Sequence, residues 1–120
     1  MAQVWLVTGS SRGLGRAIVE AGLAAGNKIL ATARDVASLR DLAQRYGGQV
    51  KLFALDVTDE AAAAGALKAA IDAFGSLDVV INNAGYGNLS SVEDTPLADF
   101  RAQIETNLFG TIIVTKAVLP

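Results

Sequence analysis

The stretch VWLVTGSSRGLG at Val4–Gly15 indicates the fold more directly than any other part of the chain. Its apolar start predicts a buried strand, which opens into a turn containing Gly9, Gly13 and Gly15. A glycine turn between a strand and a helix presents backbone N–H groups and the positive helix end to a phosphate. Because glycine is also the ordinary residue of a tight turn, this turn alone is a weak signal.

Strand and helix patterns alternate along the chain without a linker or an internal repeat. The runs typical of strands are Val4–Val7, Lys28–Ala33, Val50–Leu55 and Leu77–Asn82. Helical spacing begins at Gly13, at Val36, after a cap at Thr58 and after Thr95–Pro96.

Two helices need closer attention. The third is predicted to turn Leu67, Ala70, Ile71 and Phe74 inward. The last carries Phe100, Ile104 and Leu108 and is predicted to continue to the end of the chain. The β-branched run at residues 111–114 leaves a strand as the alternative there.

Alternation of this kind predicts an α/β fold with parallel strands and right-handed crossovers. We expect a three-layer, doubly wound Rossmann arrangement, present in part, with sheet order 3-2-1-4. Hydrophobic residues make up 52% of the chain, which favours strands covered on both faces and surface that a missing portion or a second copy would cover. Ligand is expected at the carboxyl ends of the strands, where the glycine turn lies.

Composition argues against several classes of function. A formal charge of −2 gives no support for binding nucleic acid or a membrane surface. The chain has no Cys and no His, and its carboxylates are scattered, so no metal site is expected. No apolar run approaches the ~18 residues of a membrane span. The start lacks the pattern of a signal peptide, and a cytoplasmic location is therefore predicted.

A second motif, NNAG at Asn82–Gly85, again directly follows an apolar run. Together with the glycine turn it resembles the classical short-chain dehydrogenase/reductase family, whose motifs are Thr-Gly-x-x-x-Gly-x-Gly and Asn-Asn-Ala-Gly. The resemblance extends over essentially the whole chain but covers only about half of a usual member. It implies an oxidoreductase that moves a hydride between a nicotinamide cofactor and a small carbonyl or alcohol substrate. Residues 1–120 would then be a partial NAD(P)-binding Rossmann domain, with the catalytic half absent.

The glycine turn would hold the cofactor's phosphates. Gly9 allows a sharp turn, Gly13 allows close approach to a pyrophosphate, and Gly15 allows close packing of the helix. The alternative is a plain strand-to-helix turn. The candidate cofactor-binding residues in this segment are Gly9, Ser11, Arg12, Gly13, Leu14 and Gly15.

The segment after the second strand decides between NAD and NADP. NAD-preferring relatives usually carry an acid where this chain has Ala33, and Arg34 follows it. Arg34 and Arg12 would surround one phosphate, so NADP is the predicted cofactor and NAD the less favoured one. The alternative treats both arginines as solvated surface charges. Asp35 could pair with Arg34 and weaken the preference.

Two further segments carry roles implied by the resemblance. Asp56 would bond the adenine amino group, assisted by the backbone of Val57, while the alternative is an Asp that accepts from nearby loop N–H groups. Asn83, Ala84 and Gly85 would line the path of the ribose and nicotinamide.

Asn107 matches a helix asparagine that joins the family's catalytic group through a proton-relay water. Asn is unfavourable inside a helix, and a kink or an interhelical hydrogen bond is the alternative explanation. The family's catalytic Tyr-x-x-x-Lys is absent, since Val50 and Ser90 stand four residues after Tyr46 and Tyr86. Ser90 and Ser91 lie too early to be the family's catalytic Ser. Turnover by this chain alone is therefore not expected.

Three interpretations remain open from the sequence. The chain is the cofactor-binding part of a dehydrogenase, a non-catalytic dinucleotide-binding module, or a truncated folding unit without activity. A homo-oligomer is expected through the apolar edge at Val79–Ile81 or through the last helix, which relatives use for dimer packing.

Overall fold

A parallel sheet of four strands forms the centre of the molecule in the computed structural model, which describes residues 2–86 and 90–119. Its strands are β1 (Val4–Val7), β2 (Lys28–Ala33), β3 (Val50–Ala54) and β4 (Val79–Ile81). They lie in the order β3-β2-β1-β4. The predicted α/β class and the sheet order 3-2-1-4 are confirmed.

The register brings the carboxyl ends of the strands to one edge of the sheet. Leu6 in β1 lies beside Leu30 of β2 on one side and Val80 of β4 on the other. β2 is buried along Ile29–Ala33, because it has a neighbouring strand on both sides and helices over both faces. Such a continuous apolar run is typical of a central parallel strand.

In the described residues five α-helices flank the sheet, and two 3-10 turns and one π-helical turn extend or join them. The helices are α1 (Gly13–Ala24), α2 (Arg40–Tyr46), α3 (Glu60–Phe74), α4 (Leu97–Ile104) and α5 (Gly110–Val118). Single 3-10 turns lie at Val36–Leu39 and Gly47–Gln49, before and after α2. A π-helical turn at Glu105–Phe109 joins α4 to α5, so the last helix does continue as predicted.

Alternation along the strands divides the core into two clusters, one on each face of the sheet. Val7 and Ile29 pack with residues of α1 and α2 on one face. Leu6 and Leu30 pack with α3 and α5 on the other. The molecule therefore has the three layers of a doubly wound fold.

The inward face of α3 differs from the prediction. Its buried residues are Ala63, Ala66 and Ala70, whereas Ile71 is 42% exposed. Of the four residues predicted to face inward, only Ala70 is fully buried, and Leu67 and Phe74 are half-buried. Small alanines bring the helix axis close to the sheet, and this leaves its larger side chains at the margin.

Several predicted boundaries are also corrected. The cap of α3 is Asp59, whose carboxylate accepts from Ala62 N at 3.0 Å, and not Thr58. β4 is shorter than the predicted run, and α4 begins one residue after Pro96. The second helical segment opens as a 3-10 turn at Val36 and becomes α-helical only at Arg40.

The β-branched residues 111–114 are helical, so the strand alternative was wrong. Thr115 Oγ1 donates to Thr111 O at 2.7 Å, and the side chain thereby adds to the helical hydrogen bonding.

Within the described part of the chain, no helix is both long and apolar enough to cross a membrane. The cytoplasmic location stays a prediction.

Candidate functional site

All the segments predicted to carry function follow the carboxyl ends of strands. Residues 8–15 follow β1, residues 34–35 follow β2, residues 56–57 follow β3, and residues 82–86 follow β4. In open α/β sheets, ligands bind in the crevice outside this edge. The fold therefore gathers these segments at one end of the sheet.

A buried threonine joins the loops after β1 and β4. Thr8 Oγ1 accepts hydrogen bonds from Asn83 N at 3.0 Å and Ala84 N at 2.9 Å. In the reverse direction, Asn83 Nδ2 donates to Gly9 O at 3.2 Å. The sequence motif contains Thr8, but its bridging role was not predicted. The sequence feature from which this role could have been predicted is a hydroxyl residue directly after an apolar strand.

Two of the three loop glycines make room for protein atoms. Gly9 has φ +64°, and a Cβ there would lie 2.9 Å from Ala84 Cα. A Cβ on Gly15 would overlap the carbonyl oxygen of Gly9. Gly9 thus permits the predicted sharp turn, and Gly15 permits the start of α1 to pack against that turn and Asn83.

Gly13 faces open space instead. Its φ is +61°, and apart from its chain neighbours and the backbone of its own helix no described heavy atom lies within 4 Å of the position that a Cβ would take. α1 begins here without a side-chain cap from Arg12 and without an acidic residue in its first turn. The positive helix end and open backbone fit an anionic group, such as the pyrophosphate of a dinucleotide. Leu14, also at this end, is 69% exposed.

The arginines predicted to surround a phosphate line one pocket. Arg12 and Arg34 are both exposed, and they share this pocket with Ser11, Ala33, Asp35 and Ser38. Arg34 does not pair with Asp35 among the ion pairs of the described residues. Instead, Asp35 Oδ1 accepts from Ala37 N at 3.0 Å and caps the 3-10 turn.

Ser38 is a lining residue that the sequence reasoning missed. Its Oγ donates to the carbonyl oxygen of Asp35 at 2.7 Å, which places the side chain in the pocket wall. The available signal was its position, three residues after Asp35 in the predicted turn.

Asp56 accepts hydrogen bonds from its own loop, which was the alternative to its binding the adenine. Its Oδ1 accepts from Thr58 Oγ1 at 2.7 Å and Thr58 N at 3.0 Å. These two hydrogen bonds, and to a lesser extent the nearby charge of Arg34, hold the pKa of Asp56 below its ordinary value. Its other carboxylate oxygen accepts no hydrogen bond from the described residues and stays available. The Val57 side chain is buried in the core, so only its backbone can serve a ligand.

Asn107 lies in the π-helical turn, and its side chain binds the loop after β4. Oδ1 accepts from Tyr86 N at 2.9 Å, and Nδ2 donates to Tyr86 O at 2.6 Å. A Cβ on Gly85 would come within 2.9 Å of the same Oδ1. The helix is irregular at this position, and the Asn107 side chain bonds a loop instead of the other helix that the alternative explanation proposed.

The two asparagines of the NNAG motif point to different neighbours. Asn83 braces the turn after β1, whereas Asn82 Nδ2 donates to Thr115 Oγ1 of α5 at 3.2 Å. Consecutive side chains at the end of a strand lie on opposite faces of the sheet. The two asparagines therefore connect the end of β4 to the turn after β1 and to α5.

In residues 2–86 and 90–119, no group of three or more acidic side chains lies close enough to hold a metal ion. Tyr46 lies at the end of α2, where its ring contacts the Arg45 guanidinium 5.2 Å from the ring centroid.

Comparison with known proteins gives a consistent family match. A family model described as short chain dehydrogenase matches residues 3–120. Oxidoreductase BOA17 of Botryotinia fuckeliana (strain B05.10) is 50% identical over 121 residues, which cover 100% of this chain and 44% of the relative. Serine 3-dehydrogenase of Rhizobium radiobacter is 32% identical over 121 residues, covering 100% and 49% of the two chains.

Solved structures agree with this match. A short-chain dehydrogenase from Streptomyces avermitilis superposes with a TM-score of 0.92 at 39% identity, covering 99% of this chain and 43% of that one. A 3-ketoacyl-(acyl-carrier-protein) reductase from Brucella melitensis, complexed with NADH, has a TM-score of 0.92 at 28% identity and coverage of 98% and 49%. The chain therefore spans about half the length, or less, of the relatives it matches.

Replacement of Thr8 by Val should destabilise the fold by about 1–3 kcal/mol, because the N–H groups of Asn83 and Ala84 lose their acceptor. Thr8→Ser keeps the oxygen and should cost less. Urea denaturation followed by circular dichroism measures both variants. A Val variant as stable as the Ser variant would contradict the bridging role.

The Asp56 carboxyl should titrate below the ordinary aspartate pKa of about 3.9. Because its pKa is depressed in the folded state, its contribution to stability is present above that value and is lost as the pH falls through the folded-state pKa. Thr58→Ala removes the hydroxyl donor and should raise the pKa of Asp56, whereas Thr58→Ser should leave it low. NMR titration of the carboxyl carbon reports each value, and the hypothesis fails if the Ala variant titrates like wild type.

Proposed function

The chain belongs to the short-chain dehydrogenase family, and from this premise we propose that it is the NADP(H)-binding part of an oxidoreductase. The parent would move a hydride between the nicotinamide and a carbonyl or alcohol substrate. The observation that carries the proposal is the shared pocket of Arg12 and Arg34, beside the uncapped start of α1.

The choice of NADP over NAD follows from charge. A guanidinium donates several N–H groups in a planar fork that suits a phosphate, and two of them around one pocket favour a 2′-phosphate. A carboxylate that could accept from a ribose 2′-OH is missing from position 33. The Brucella melitensis reductase is described as complexed with NADH, so NAD stays the less favoured alternative.

Each part of the cofactor has proposed partners in the chain. The pyrophosphate would lie on the N–H groups at the start of α1, and the adenine near the available oxygen of Asp56 and the backbone of Val57. The ribose and nicotinamide would follow the loop after β4. The complete proposed set is Gly9, Ser11, Arg12, Gly13, Leu14, Gly15, Arg34, Asp56, Val57, Asn83, Ala84 and Gly85.

When bound, the nicotinamide supplies or accepts the hydride. We propose that Asn107 takes part in proton relay through its main-chain oxygen, since both amide atoms of its side chain are bonded to Tyr86. That oxygen accepts from Thr111 Oγ1 at 3.1 Å. The chain has no Tyr-x-x-x-Lys, so we propose cofactor binding without turnover by this chain alone.

Two other interpretations remain as alternatives. A non-catalytic dinucleotide-binding module would bind the cofactor as well, and only a longer gene product that carries the missing pair would argue against it. A folding unit without activity would bind neither NADPH nor NADH.

We also propose that the chain forms a homo-oligomer. β4 pairs only with β1 in the described sheet, and its other edge is free to pair. Large apolar side chains are exposed along the last helix, among them Ile104, Leu108 and Phe109. A second copy of the chain is the proposed occupant of this surface.

Titration with NADPH should show saturable binding that is tighter than that of NADH. Arg12→Ala and Arg34→Ala should each weaken NADPH binding about 10- to 100-fold, as expected for the loss of one charge-assisted hydrogen bond, and should leave NADH binding nearly unchanged. Fluorescence titration measures both cofactors. Arg101→Ala on exposed α4 is the matched control and should change neither affinity. Equal losses for both cofactors would argue against a 2′-phosphate site.

Self-association should appear in sedimentation velocity as a concentration-dependent shift to larger species. Leu108→Glu should weaken the association at least about tenfold, because a charge would be buried in an apolar contact. Ala64→Glu, exposed on α3, serves as the control. A wild-type chain that stays monomeric at high concentration would rule out the oligomer.

A further inference from the structure

Arg16 of α1 makes contacts in three directions. Its Nε donates to Glu20 Oε1 at 2.8 Å on the same helix, and its Nη1 donates to the carbonyl oxygen of Ser38 at 3.2 Å. Its Nη2 donates to the carboxylate of Asp41. The side chain is only 22% exposed. One guanidinium therefore connects α1 to both the 3-10 turn and α2.

The turn that Arg16 contacts forms one wall of the pocket lined by Arg12 and Arg34. Ser38 Oγ donates to Asp35 O, and Asp35 Oδ1 accepts from Ala37 N, so the segment from Asp35 to Ser38 is tied to itself. Arg34 precedes this tied segment directly. Leu39 of the turn is buried in the same core cluster as Val19 of α1, and Arg16 adds the polar contact between the segment and α1. The N-terminus of α1 carries Arg12.

From these contacts we propose that Arg16 is a positioning residue for cofactor selection. It sets where Arg34 stands relative to Arg12, and it thereby sets the preference for NADPH over NADH. This inference rests on the proposed function, in which the two arginines hold a 2′-phosphate.

The geometry of Arg16, and not its charge, carries this role. Its positive charge is paired with two carboxylates, those of Glu20 and Asp41, so it adds little net field at the pocket. Its fixed fork reaches three acceptors at once, which the ammonium of a lysine cannot do with the same directions. A pocket held ready in this way loses less conformational freedom when the phosphate binds.

Stability and selectivity should respond differently to a change at Arg16. Ion pairs between partly exposed groups contribute little to folding. A variant should therefore stay folded while its pocket loses its fixed shape. The two effects can then be measured separately.

Arg16→Lys, which keeps the charge, is the first test. The ratio of NADPH to NADH affinity should fall about tenfold, the change expected for losing the equivalent of one charge-assisted hydrogen bond, with NADH affinity unchanged. Arg16→Met should give the same fall. Lys68→Gln breaks the exposed Lys68–Asp72 pair on α3 and, as the matched control, should leave the ratio as in wild type. A ratio that falls in the Met variant and is kept in the Lys variant would overturn the proposal in favour of charge alone.

Two further readouts test whether Arg16 acts through the loop. In an Arg34→Ala background, Arg16→Lys should have no additional effect on the ratio, and additive losses would overturn the proposal. Without cofactor, the Ala37 N–H should exchange with deuterium faster in Arg16→Lys than in wild type, because the turn that contains it is held less firmly. Equal exchange rates would contradict the positioning role of Arg16.

The outcomes separate this inference from the function on which it rests. Wild-type chain that binds neither cofactor would overturn both. Wild-type chain that prefers NADPH, with the preference intact in Arg16→Lys, would overturn only the role of Arg16.

Discussion

The hydroxyl of Thr8 accepts two backbone N–H groups from the loop after β4, and the geometry of the site depends on this contact. It holds the end of β4 against the end of β1 at the point where both strands finish. Since Gly9 and Ala84 are then in close contact, any side chain at position 9 would push the two loops apart. Gly9 and Ala84 therefore follow from one constraint, the close approach of two loop backbones.

Among the described residues, the arginines at the carboxyl edge of the sheet fall into two groups, one ion-paired and the other not. Arg16 is surrounded by Glu20 and Asp41, and its charge serves the connection between α1 and α2. Arg12 and Arg34 form no ion pair with the described residues and line an open pocket. The uncapped start of α1 adds to the same field. An anion at this edge would meet two guanidinium groups that form no ion pair with the described carboxylates.

Most of the fold could be predicted because its signals are local. Continuous apolar runs marked the strands, and alternation with helices implied a parallel sheet of order 3-2-1-4, which the structure has. The buried face of α3 could not be predicted from local apolar spacing. Its apolar residues occur all round the helix, and the choice of Ala63, Ala66 and Ala70 is made by close packing against the sheet.

The candidate site was predictable where a motif carries it and not where contacts are long-range. The glycines and Asn83 belong to recognisable motifs, whereas Arg16 reaches Asp41 across 25 positions of sequence. Nothing in the spacing of these two residues indicates that they meet. The role of Thr8 likewise depends on which loops become neighbours.

The short length of β4 explains why the NNAG motif and Asn107 belong together. The strand has only three residues, and beyond it the backbone has no ladder to satisfy its polar groups. Side chains take that place: Thr8 accepts the N–H groups of Asn83 and Ala84, and Asn107 pairs with both the N–H and the carbonyl of Tyr86. An amide side chain is suited to the second task because it donates and accepts in the same plane, as a neighbouring strand would. An aspartate at this position would lack the donor, and a leucine would lack both groups. The π-helical turn places the Asn107 side chain where a further strand residue would otherwise be needed. The hydrogen-bonded edge of the sheet thereby extends to the loop that borders the proposed nicotinamide path.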